Sequence, residues 1–314
     1  MNKINNIIAA YLLLIALPML SACQSEETIK APVDNPPASA LPAMADIHLH
    51  YNWTQEELLS AEEAVSILRK NGVVIGVVSS RPSSFALKLR QAAGKWVIPI
   101  FSPYYKPGIK EFWFRKPEVV VQARKALASG QYFGIGEMHL VSGMGPSRDN
   151  KVVQGLLKLA REFNVPVLIH TDASRHEYLL PVCKQYADVR FLWAHAGGVL
   201  QAREVGLLME KCPNVMVELS ARDPWHYDGL TDGDGVLLDG WKPLFEKYPE
   251  RFMTGTDPVW NAHQTYRWYE ADEGWLHYNK MNNFHRQWIK QLSAKTQKLI
   301  LIDNARRFFA FALK

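Results

Sequence analysis

Two histidines one residue apart, His48 and His50, are the first residues in the chain whose types and spacing suggest chemistry. They end a stretch, 45–50, in which apolar and polar residues alternate, and in a β-strand residues two apart point to the same face. The two imidazoles would then project from one side, roughly 7 Å apart along the strand. Both can converge on one ion, because a Zn–N bond spans about 2 Å. Two unrelated histidines in a partly buried strand are the alternative.

Later apolar runs also end in residue types that bind metal ions. Three of these runs end at His170, His195 and Asp257. The spacing therefore indicates a chain organised to deliver these side chains to the place where the first two histidines point.

Strand-like runs and helical patterns alternate along the chain from residue 44. The eight strand-like runs end near His50, Ser80, Phe101, Glu137, His170, His195, Leu219 and Asp257. Helical patterns lie between them at 55–70, 83–93, 117–129, 148–163, 175–187, 199–211 and 238–247. Continuous apolar strands such as 73–78 indicate burial on both faces, as in a parallel sheet. No Gly-rich phosphate loop follows the first strand, so we predict a closed (β/α)8 barrel rather than an open doubly wound sheet.

The pattern changes after the eighth strand. Residues 258–290 hold Trp260, His263, Tyr266, Trp268, Tyr269, Trp275, His277, Tyr278, His285 and Trp288. This insertion leaves the barrel at the face where such barrels place their chemistry. Two hypotheses stay open: an aromatic lid over the site, or helices that pack on the barrel wall. Residues 298–309 are predicted to form closing helices that cover the barrel.

The first 22 residues have the features of a signal peptide, with Lys3 before an apolar stretch too short to span a membrane. The stretch ends in Leu-Ser-Ala-Cys at Cys23, which resembles a bacterial lipobox, where the cysteine is acylated after cleavage. An ordinary cleavage site is the alternative. Gln24 follows the cysteine, so the resemblance implies a lipid-anchored periplasmic protein of the outer membrane. Residues 23–43 are proline-rich and predict a flexible tether before the domain at 44–314.

Composition places the chain among ordinary globular proteins. It has 314 residues, 48% hydrophobic and 21% charged, and a formal net charge of +5. No dense Lys/Arg run indicates nucleic-acid binding. An oxidising periplasm permits a disulfide between Cys183 and Cys212, but both lie in helix-like stretches with no common loop, so we predict buried free thiols.

Taken together, the ordered strand ends resemble the amidohydrolase superfamily. His-x-His ends strand one, histidines end strands five and six, and an aspartate ends strand eight. The segments Ala194-His-Ala-Gly-Gly198, Gly255-Thr-Asp-Pro258 and 303–309 resemble its amidohydrolase-related (amidohydrolase 2-like) branch. That branch includes lactone and amide hydrolases, decarboxylases and hydratases. The resemblance covers about residues 44–312.

The resemblance implies a divalent metal bound by His48, His50, His170 and Asp257. Imidazole and carboxylate suit Zn²⁺ best here, with Mn²⁺ or Fe²⁺ as alternatives. A catalytic ion keeps one position open for water and can lower the pKa of that water to about 7. Asp257 would accept the proton as the water attacks. His195 would bind a second metal or donate to the developing oxyanion.

Glu137 leaves the number of metal ions open. It ends strand four, where two-metal members of the superfamily place a bridging Lys or Glu, and it would hold a second ion about 3.5–4 Å from the first. The alternative is a carboxylate that orients a metal ligand or water.

Substrate contacts are expected from residues that follow strands two, three and seven. Arg81 and Arg222 would stand at the mouth, where a guanidinium suits a carboxylate. Tyr104 would line the pocket, and His139 shares a face with Glu137. Each of these can equally be a rim or surface residue.

The sequence thus predicts a metal-dependent hydrolase that cleaves a C–O or C–N bond of a small, anionic lactone, ester or amide. A decarboxylase or hydratase of the same branch is the first alternative. A periplasmic protein that only binds metal or solute is the second.

Overall fold

The computed structural model of the chain describes residues 41–259 and 273–314. Within them eight parallel strands alternate with helices, as predicted. The strands are β1 (Met44–Leu49), β2 (Val73–Ser79), β3 (Val97–Ile100), β4 (Ile135–His139), β5 (Val167–His170), β6 (Phe191–Trp193), β7 (Val215–Glu218) and β8 (Phe252–Met253). Residues 1–22, Cys23 and most of the predicted tether lie outside the described residues.

The eight strands close into a barrel. Continuous pairing runs from β1 to β3 and from β4 to β8. Backbone hydrogen bonds join the two sheets at one seam, where Phe101 bridges Ile135 and its N–H donates to the carbonyl of Gly134 at 2.8 Å. They also join the ends: the N–H of Ile47 donates to the carbonyl of Thr254 at 3.0 Å. The predicted (β/α)8 barrel is therefore confirmed, and all eight strands end on one face.

The helices between the strands follow the predicted patterns, with one break. They are α1 (Trp53–Glu56), α2 (Ala61–Lys70), α3 (Ser84–Ala93), α4 (Glu118–Ala128), α5 (Lys151–Glu162), α6 (Leu180–Gln185), α7 (Ala202–Lys211) and α8 (Trp241–Lys247). The helix predicted at 55–70 is two helices, because Ser60 caps the second. Its hydroxyl accepts from the N–H of Glu63, whose carboxylate accepts from the N–H of Ser60. Of the helices described, none is long and apolar enough to cross a bilayer.

The end of the chain packs on the barrel. It forms α9 (Tyr278–Trp288), α10 (Ala294–Lys298) and α11 (Asn304–Phe308), with a π-helical turn from Leu299 to Asp303. Ile302, Ala305 and Phe309 are buried in one cluster with Ile47 of β1 and Leu192 of β6. This is the covering role predicted for residues 298–309.

The prediction that Cys183 and Cys212 are free thiols is wrong, because the two residues form a disulfide with Cα atoms 5.9 Å apart. Cys183 lies in α6 and Cys212 follows α7, and both segments reach the N-terminal end of the barrel. Asn214 holds them together: its side-chain amide donates to the carbonyls of Cys183, Tyr186 and Val189 at 2.9–3.1 Å. The sequence did not show that these two segments meet.

The described part of the aromatic insertion packs against strand β1. The Trp275 indole donates to the carbonyl of His50 at 2.8 Å and stacks on Tyr278. The Tyr278 phenol donates to the carboxylate of Asp46 at 2.6 Å, and Trp288 is fully buried. For these residues the wall-packing hypothesis holds. Trp260, His263, Tyr266, Trp268 and Tyr269 lie outside the described residues.

Candidate metal centre

The two histidines of β1 are oriented by hydrogen bonds on their Nδ1 atoms. His50 Nδ1 donates to the carbonyl of Ser79 at 2.7 Å, and His48 Nδ1 donates to Glu218 at 2.9 Å. With Nδ1 as the donor, each neutral ring carries its lone pair on Nε2, and the two Nε2 atoms are only 3.1 Å apart. Two nitrogens bound to one tetrahedral Zn²⁺ are about 3.3 Å apart. The pair therefore fits a cation between them.

Asp257 completes this group from the end of β8. Its N–H donates to the carbonyl of His48 at 2.8 Å, which fixes the residue beside β1. Its Oδ1 is 3.2 Å from His50 Nε2, is buried, and accepts no hydrogen bond from the described residues. Its backbone has φ 50°, in the left-handed region that non-glycine residues seldom adopt. His48, His50 and Asp257 form one group of potential metal ligands.

Glu137 lies at the centre of the histidines. Its Oε2 is 3.6 Å from His48 Nε2 and 3.5 Å from His50 Nε2. Its Oε1 accepts from His170 Nδ1 at 2.6 Å and is 3.4 Å from His195 Nε2. The carboxylate thus lies between two sets of imidazoles, with one oxygen toward each set.

The sequence predicts that His170 binds the same metal ion as His48, His50 and Asp257. In the structure His170 is not in one group of potential ligands with those three residues. Its Nδ1 is held by Glu137, so Nε2 turns the other way and lies 3.2 Å from Asp172 Oδ2. The structure instead groups His170 with Asp172 and His195. Asp172 had no signal in the sequence, because it follows β5 in a loop and ends no apolar run.

His195 is held by its Nδ1, which lies 2.8 Å from the hydroxyl and 3.2 Å from the carbonyl of Ser220. A carbonyl only accepts, so Nδ1 donates and Nε2 faces Glu137 and Asp257. The residue has φ 56° and is buried. Like Asp257, it is held in a strained backbone at the end of a strand.

Glu218 is a site residue that the sequence analysis missed. This fully buried carboxylate at the end of β7 accepts from His48 Nδ1, from the N–H of His195 at 2.6 Å and from the hydroxyl of Ser220 at 2.8 Å. Gly255 allows the close approach of β8, because a Cβ there would lie 2.6 Å from the carboxylate. A signal existed: Glu218 ends an apolar run, as Glu137 does.

The electrostatics of the site favour positive charge. Burial lowers the pKa of His48 and His195, but the surrounding carboxylates outweigh it: they raise the pKa of His48 well above its ordinary value and that of His195 to about 9. Burial raises the pKa of Glu218, yet His48 and His195 bring it down to about 2. For Glu137 the neighbouring histidines likewise outweigh burial and lower the pKa. Buried carboxylates and imidazoles in this arrangement require protons or a cation among them, and the donor set fits a divalent metal.

The family follows from a sequence comparison. The family model Amidohydro_2, described as amidohydrolase, matches residues 29–311. The chain belongs to the amidohydrolase family. Its members are enzymes, so this amidohydrolase is an enzyme and the alternative of a protein that only binds metal or solute is removed. No curated protein is similar enough to match the chain.

Solved structures share the fold of this amidohydrolase. An amidohydrolase from Burkholderia multivorans with bound Zn has a TM-score of 0.55 at 13% identity, over 86% of this chain and 99% of that one. A probable 2-pyrone-4,6-dicarboxylic acid hydrolase from Acinetobacter baumannii, with citric acid bound, has a TM-score of 0.53 at 15% identity, over 86% and 100%. A dihydroxybenzoic acid decarboxylase from Polaromonas with manganese and 2-nitroresorcinol has a TM-score of 0.54 at 9% identity, over 86% and 98%.

Around the metal centre of this amidohydrolase, Tyr104 supports a histidine. Its phenol oxygen contacts His139 Nδ1 and accepts from the N–H of His139 at 3.1 Å. The His139 ring in turn packs against His170, with centroids 4.2 Å apart. Burial raises the pKa of Tyr104 and lowers that of His139, and the charge of Arg81 makes a smaller contribution that lowers both. Arg81, Tyr104 and His139 therefore lie together beside the site, and their substrate contacts stay predictions.

Arg222 does not stand at the mouth, so that part of the prediction is wrong. The residue is fully buried, and its Nη2 donates to the carbonyls of Leu200 and Gly229 at 3.0 Å. The loop after β7 folds back over it, and Trp241 lies 5.1 Å beneath the guanidinium. Nε and Nη1 have no hydrogen-bond partner among the described residues. A substrate carboxylate would have to reach Arg222 inside the protein.

Proposed function

We propose that this amidohydrolase is a metal-dependent hydrolase that cleaves a C–O or C–N bond in a small lactone, ester or amide. One observation carries the proposal. The Nε2 atoms of His48 and His50 face each other at 3.1 Å. Asp257 Oδ1 lies 3.2 Å from His50 Nε2 and accepts no hydrogen bond from the described residues. Two lone pairs this close repel one another unless a proton or a metal ion lies between them.

His48, His50 and Asp257 would hold the ion, with Glu137 beside them. Two imidazoles and a carboxylate suit Zn²⁺, and also Mn²⁺ or Fe²⁺. When bound, the ion supplies Lewis acidity, which polarises a carbonyl and acidifies a water. Glu218 and the carbonyl of Ser79 keep the two rings in the tautomers that leave Nε2 unprotonated.

Asp257 is the residue best placed to accept a proton. Its Oδ1 is buried and accepts no hydrogen bond from the described residues, so its lone pairs are available to an attacking water. His195 presents Nε2 to the same space from the other side, 3.9 Å from Asp257 Oδ2. There it can bind a cation or donate to an oxygen that gains negative charge.

Decarboxylation is the alternative, because the same residues would bind the metal. It is supported by the fold shared with the dihydroxybenzoic acid decarboxylase that contains manganese. It differs from hydrolysis in the bond that breaks and in needing no attacking water.

A substrate screen separates the two reactions. Metal-loaded protein is offered lactones, aryl esters and N-acyl compounds, with aromatic carboxylic acids in a second arm, and each assay is repeated with chelator. Cleavage of an acyl substrate that stops with chelator and returns with metal supports the proposal. Carbon dioxide release from an aromatic acid, with every acyl compound inert, would replace it with decarboxylation.

We also propose that the mature chain begins at Cys23 and is anchored by lipid on the periplasmic side of the outer membrane. The Leu-Ser-Ala-Cys sequence and the following Gln24 support this. Cells labelled with a fatty-acid analogue should give a lipidated band that Cys23→Ala abolishes. An unlabelled wild-type protein in the soluble fraction would refute the anchor and leave the barrel untouched.

A further inference from the structure

Large apolar side chains are exposed mainly at the end of the barrel where the strands end. Ten such residues are exposed among those that the structure describes, and seven of them lie in the connections that follow strand ends. They are Trp53 and Leu58 after β1, Phe112 after β3, Met144 after β4, Val199 after β6, Val236 after β7 and Leu276 between β8 and α9. The connections that lead from α2 to α8 into the next strand, all of them described, hold none. The exposed apolar surface therefore belongs to the face that carries the metal centre.

Two of these residues, Trp53 and Phe112, stand on segments that buried neighbours hold in place. Trp53 is 48% exposed, although the nearby Gln55 is buried and its amide donates to a carbonyl of the loop after β8 at 2.9 Å. Phe112 is 50% exposed, although Ile109 and Trp113 on either side of it are buried. The local structure thus buries the neighbours and leaves the two aromatic rings in contact with solvent. Several large apolar side chains exposed on one face indicate a surface that binds something.

The connection that holds Phe112 is also basic. Residues 105–116 contain four basic residues and one acidic residue, a formal net charge of +3 in a chain of +5. These are Lys106, Lys110, Glu111, Arg115 and Lys116, and all five are exposed. The Lys106 ammonium lies 5.6 Å from the ring of Tyr105, and the Arg115 guanidinium lies 5.4 Å from the ring of Phe114. Aromatic rings among exposed cations are typical of surfaces that bind anionic lipid headgroups.

The proposed tether meets the barrel at the opposite end, but it is long enough for the strand ends to reach a bilayer. The N–H of Met44, at the start of β1, donates to the carbonyl of Gly72 at 2.9 Å, which places the start of the domain at the N-terminal end of the barrel. Cys23 precedes Leu41 by 18 residues, and a chain of that length spans at most about 60 Å. Strand β1, with 6 residues, spans only about 20 Å. An anchored chain can therefore turn its strand ends toward the membrane.

We propose that the face formed by the connections after the strands docks on an anionic phospholipid bilayer. Trp53, Leu58, Phe112 and Met144 enter the headgroup region, and the cations of residues 105–116 lie beside the lipid phosphates. A bilayer fits this face better than a folded partner does. The exposed apolar side chains come one or two at a time from six connections, and a fluid surface receives them without fixed shape complementarity. The inference goes beyond the proposed reaction and gives the lipid-anchored protein one orientation, with the metal centre toward the membrane.

Vesicle binding tests this face without any substrate or metal. The chain from Gln24 onward, without the leader and Cys23, is suitable because all eight strands and the helices that cover them lie within residues 41–314. The protein is floated on a density gradient with phosphatidylcholine vesicles, either pure or with added phosphatidylglycerol. We expect binding to the mixed vesicles that salt weakens, because each cation near an anionic surface strengthens binding about fivefold.

The apolar contribution is tested by Trp53→Ser with Phe112→Ser. Binding to the mixed vesicles should weaken at least about tenfold, because two half-exposed aromatic rings no longer leave water. Leu41→Ser with Phe311→Ser is the matched control, since these two exposed apolar residues lie outside the connections that follow strand ends. It should bind as the wild type does, and thermal melting checks that both double variants fold.

The charge contribution is tested by Lys106→Gln with Arg115→Gln and Lys116→Gln. Three lost cations should weaken binding by about 10²-fold. The matched control neutralises three exposed lysines at the N-terminal end of the barrel, Lys95, Lys125 and Lys211. It should change binding little, because these residues are more than a screening length from the bilayer.

Hydrogen exchange of the wild type examines the same face without any substitution. Vesicles should slow exchange in residues 53–58 and 105–116 and leave residues 125–134 unchanged. Three results would overturn the inference: no binding to mixed vesicles at low salt, equal binding to pure phosphatidylcholine, or folded variants of the face that bind as tightly as the wild type. Dimers in sedimentation that Trp53→Ser with Phe112→Ser abolishes, without vesicle binding, would replace the bilayer with a second copy of the chain. Metal content and turnover are separate measurements, so the proposed function stands or fails independently of these results.

Discussion

The two ends of the barrel differ in how completely their buried polar groups are hydrogen-bonded. At the N-terminal end, where the helices lead into β6, β7 and β8, polar side chains are tied to backbone carbonyls. The side chain of Asn214 donates hydrogen bonds to three carbonyls. Arg251 donates to the carbonyls of Cys212 and Val215, and Asn304 donates to those of Pro249 and Phe252. At the C-terminal end, Nε and Nη1 of Arg222 and Oδ1 of Asp257 are buried and have no hydrogen-bond partner within the described residues.

Backbone conformation follows the same division. Seven non-glycine residues among those described have positive φ, and all but Asn164 follow the C-terminal ends of β5 to β8. Each such residue costs about 1–3 kcal/mol, which a protein retains where function requires the geometry. The comparison teaches that the N-terminal end stabilises the barrel, whereas the C-terminal end keeps strained and unsatisfied groups ready for a ligand.

The largest effect is expected at the C-terminal end, from Asp257→Asn. Turnover should fall by about 10²–10⁴-fold, because the amide cannot accept the proton that the carboxylate takes. The fold should persist, since the backbone N–H that pairs with His48 remains. Steady-state kinetics with thermal melting measure both. A variant with near wild-type turnover would remove Asp257 as the proton acceptor.

At the N-terminal end, Cys183→Ala with Cys212→Ala should change stability and leave activity intact. Losing a link across 29 residues costs about 3.6 kcal/mol in the loop-closure model. Urea unfolding and turnover at 25 °C test the pair, and wild-type protein with reductant is the control for the substitutions themselves. Lost turnover in a folded variant would show that the two ends are not independent.

Glu218→Gln tests the support beneath the metal ligands. Glu218 accepts from His48, from Ser220 and from the N–H of His195, and an amide cannot accept all of them. We expect metal affinity to fall about 10–100-fold, as is typical when a partner of a ligating histidine is lost. Competition with a chromogenic chelator measures the constant. Unchanged affinity would make Glu218 a packing residue.

The smallest expected effect is the pH dependence of folding stability that His285 contributes. His285 Nε2 donates to the carbonyl of Gly255 at 2.7 Å while Nδ1 accepts from the Trp288 indole, and burial lowers the pKa of this histidine to about 4. The unfolded state therefore binds more protons between pH 6.5 and pH 4, and this contribution to stability is lost as the pH falls. Asp46, whose pKa burial raises to about 6, acts in the opposite direction.

The comparison of wild type with His285→Gln isolates the histidine from Asp46. The stability difference between them should shrink by on the order of 1–2 kcal/mol between pH 7 and pH 5. Denaturant unfolding at several pH values measures it. A difference that does not vary with pH would show that His285 titrates in the folded protein at its ordinary pKa.

The sequence predicted what depends on local pattern. Apolar runs and their final residues are local, so the barrel and the positions of His48, His50 and Asp257 could be inferred before the structure. Glu137 was also found this way, and Glu218 could have been, because it too ends a strand.

The remaining features depend on how distant segments meet. Asp172 reaches the site through the turn after β5, where Ala173 has φ 59°. Arg222 is buried because the loop at Gly229 returns over it. The disulfide exists because α6, which contains Cys183, lies beside Cys212 at the end of α7. His170 Nε2 points away from His48, His50 and Asp257 because Nδ1 donates a hydrogen bond to Glu137. None of these contacts leaves a periodic or spacing signal in the chain.

The metal content of the purified mature protein, with and without the two histidines of β1, tests the central claim most directly. Elemental analysis should find at least about one equivalent of a first-row divalent metal per wild-type chain. His48→Ala with His50→Ala should lose one equivalent and all turnover that a chelator abolishes in the wild type. The same metal content in both folded proteins would contradict the account, because the facing Nε2 atoms would then hold no ion.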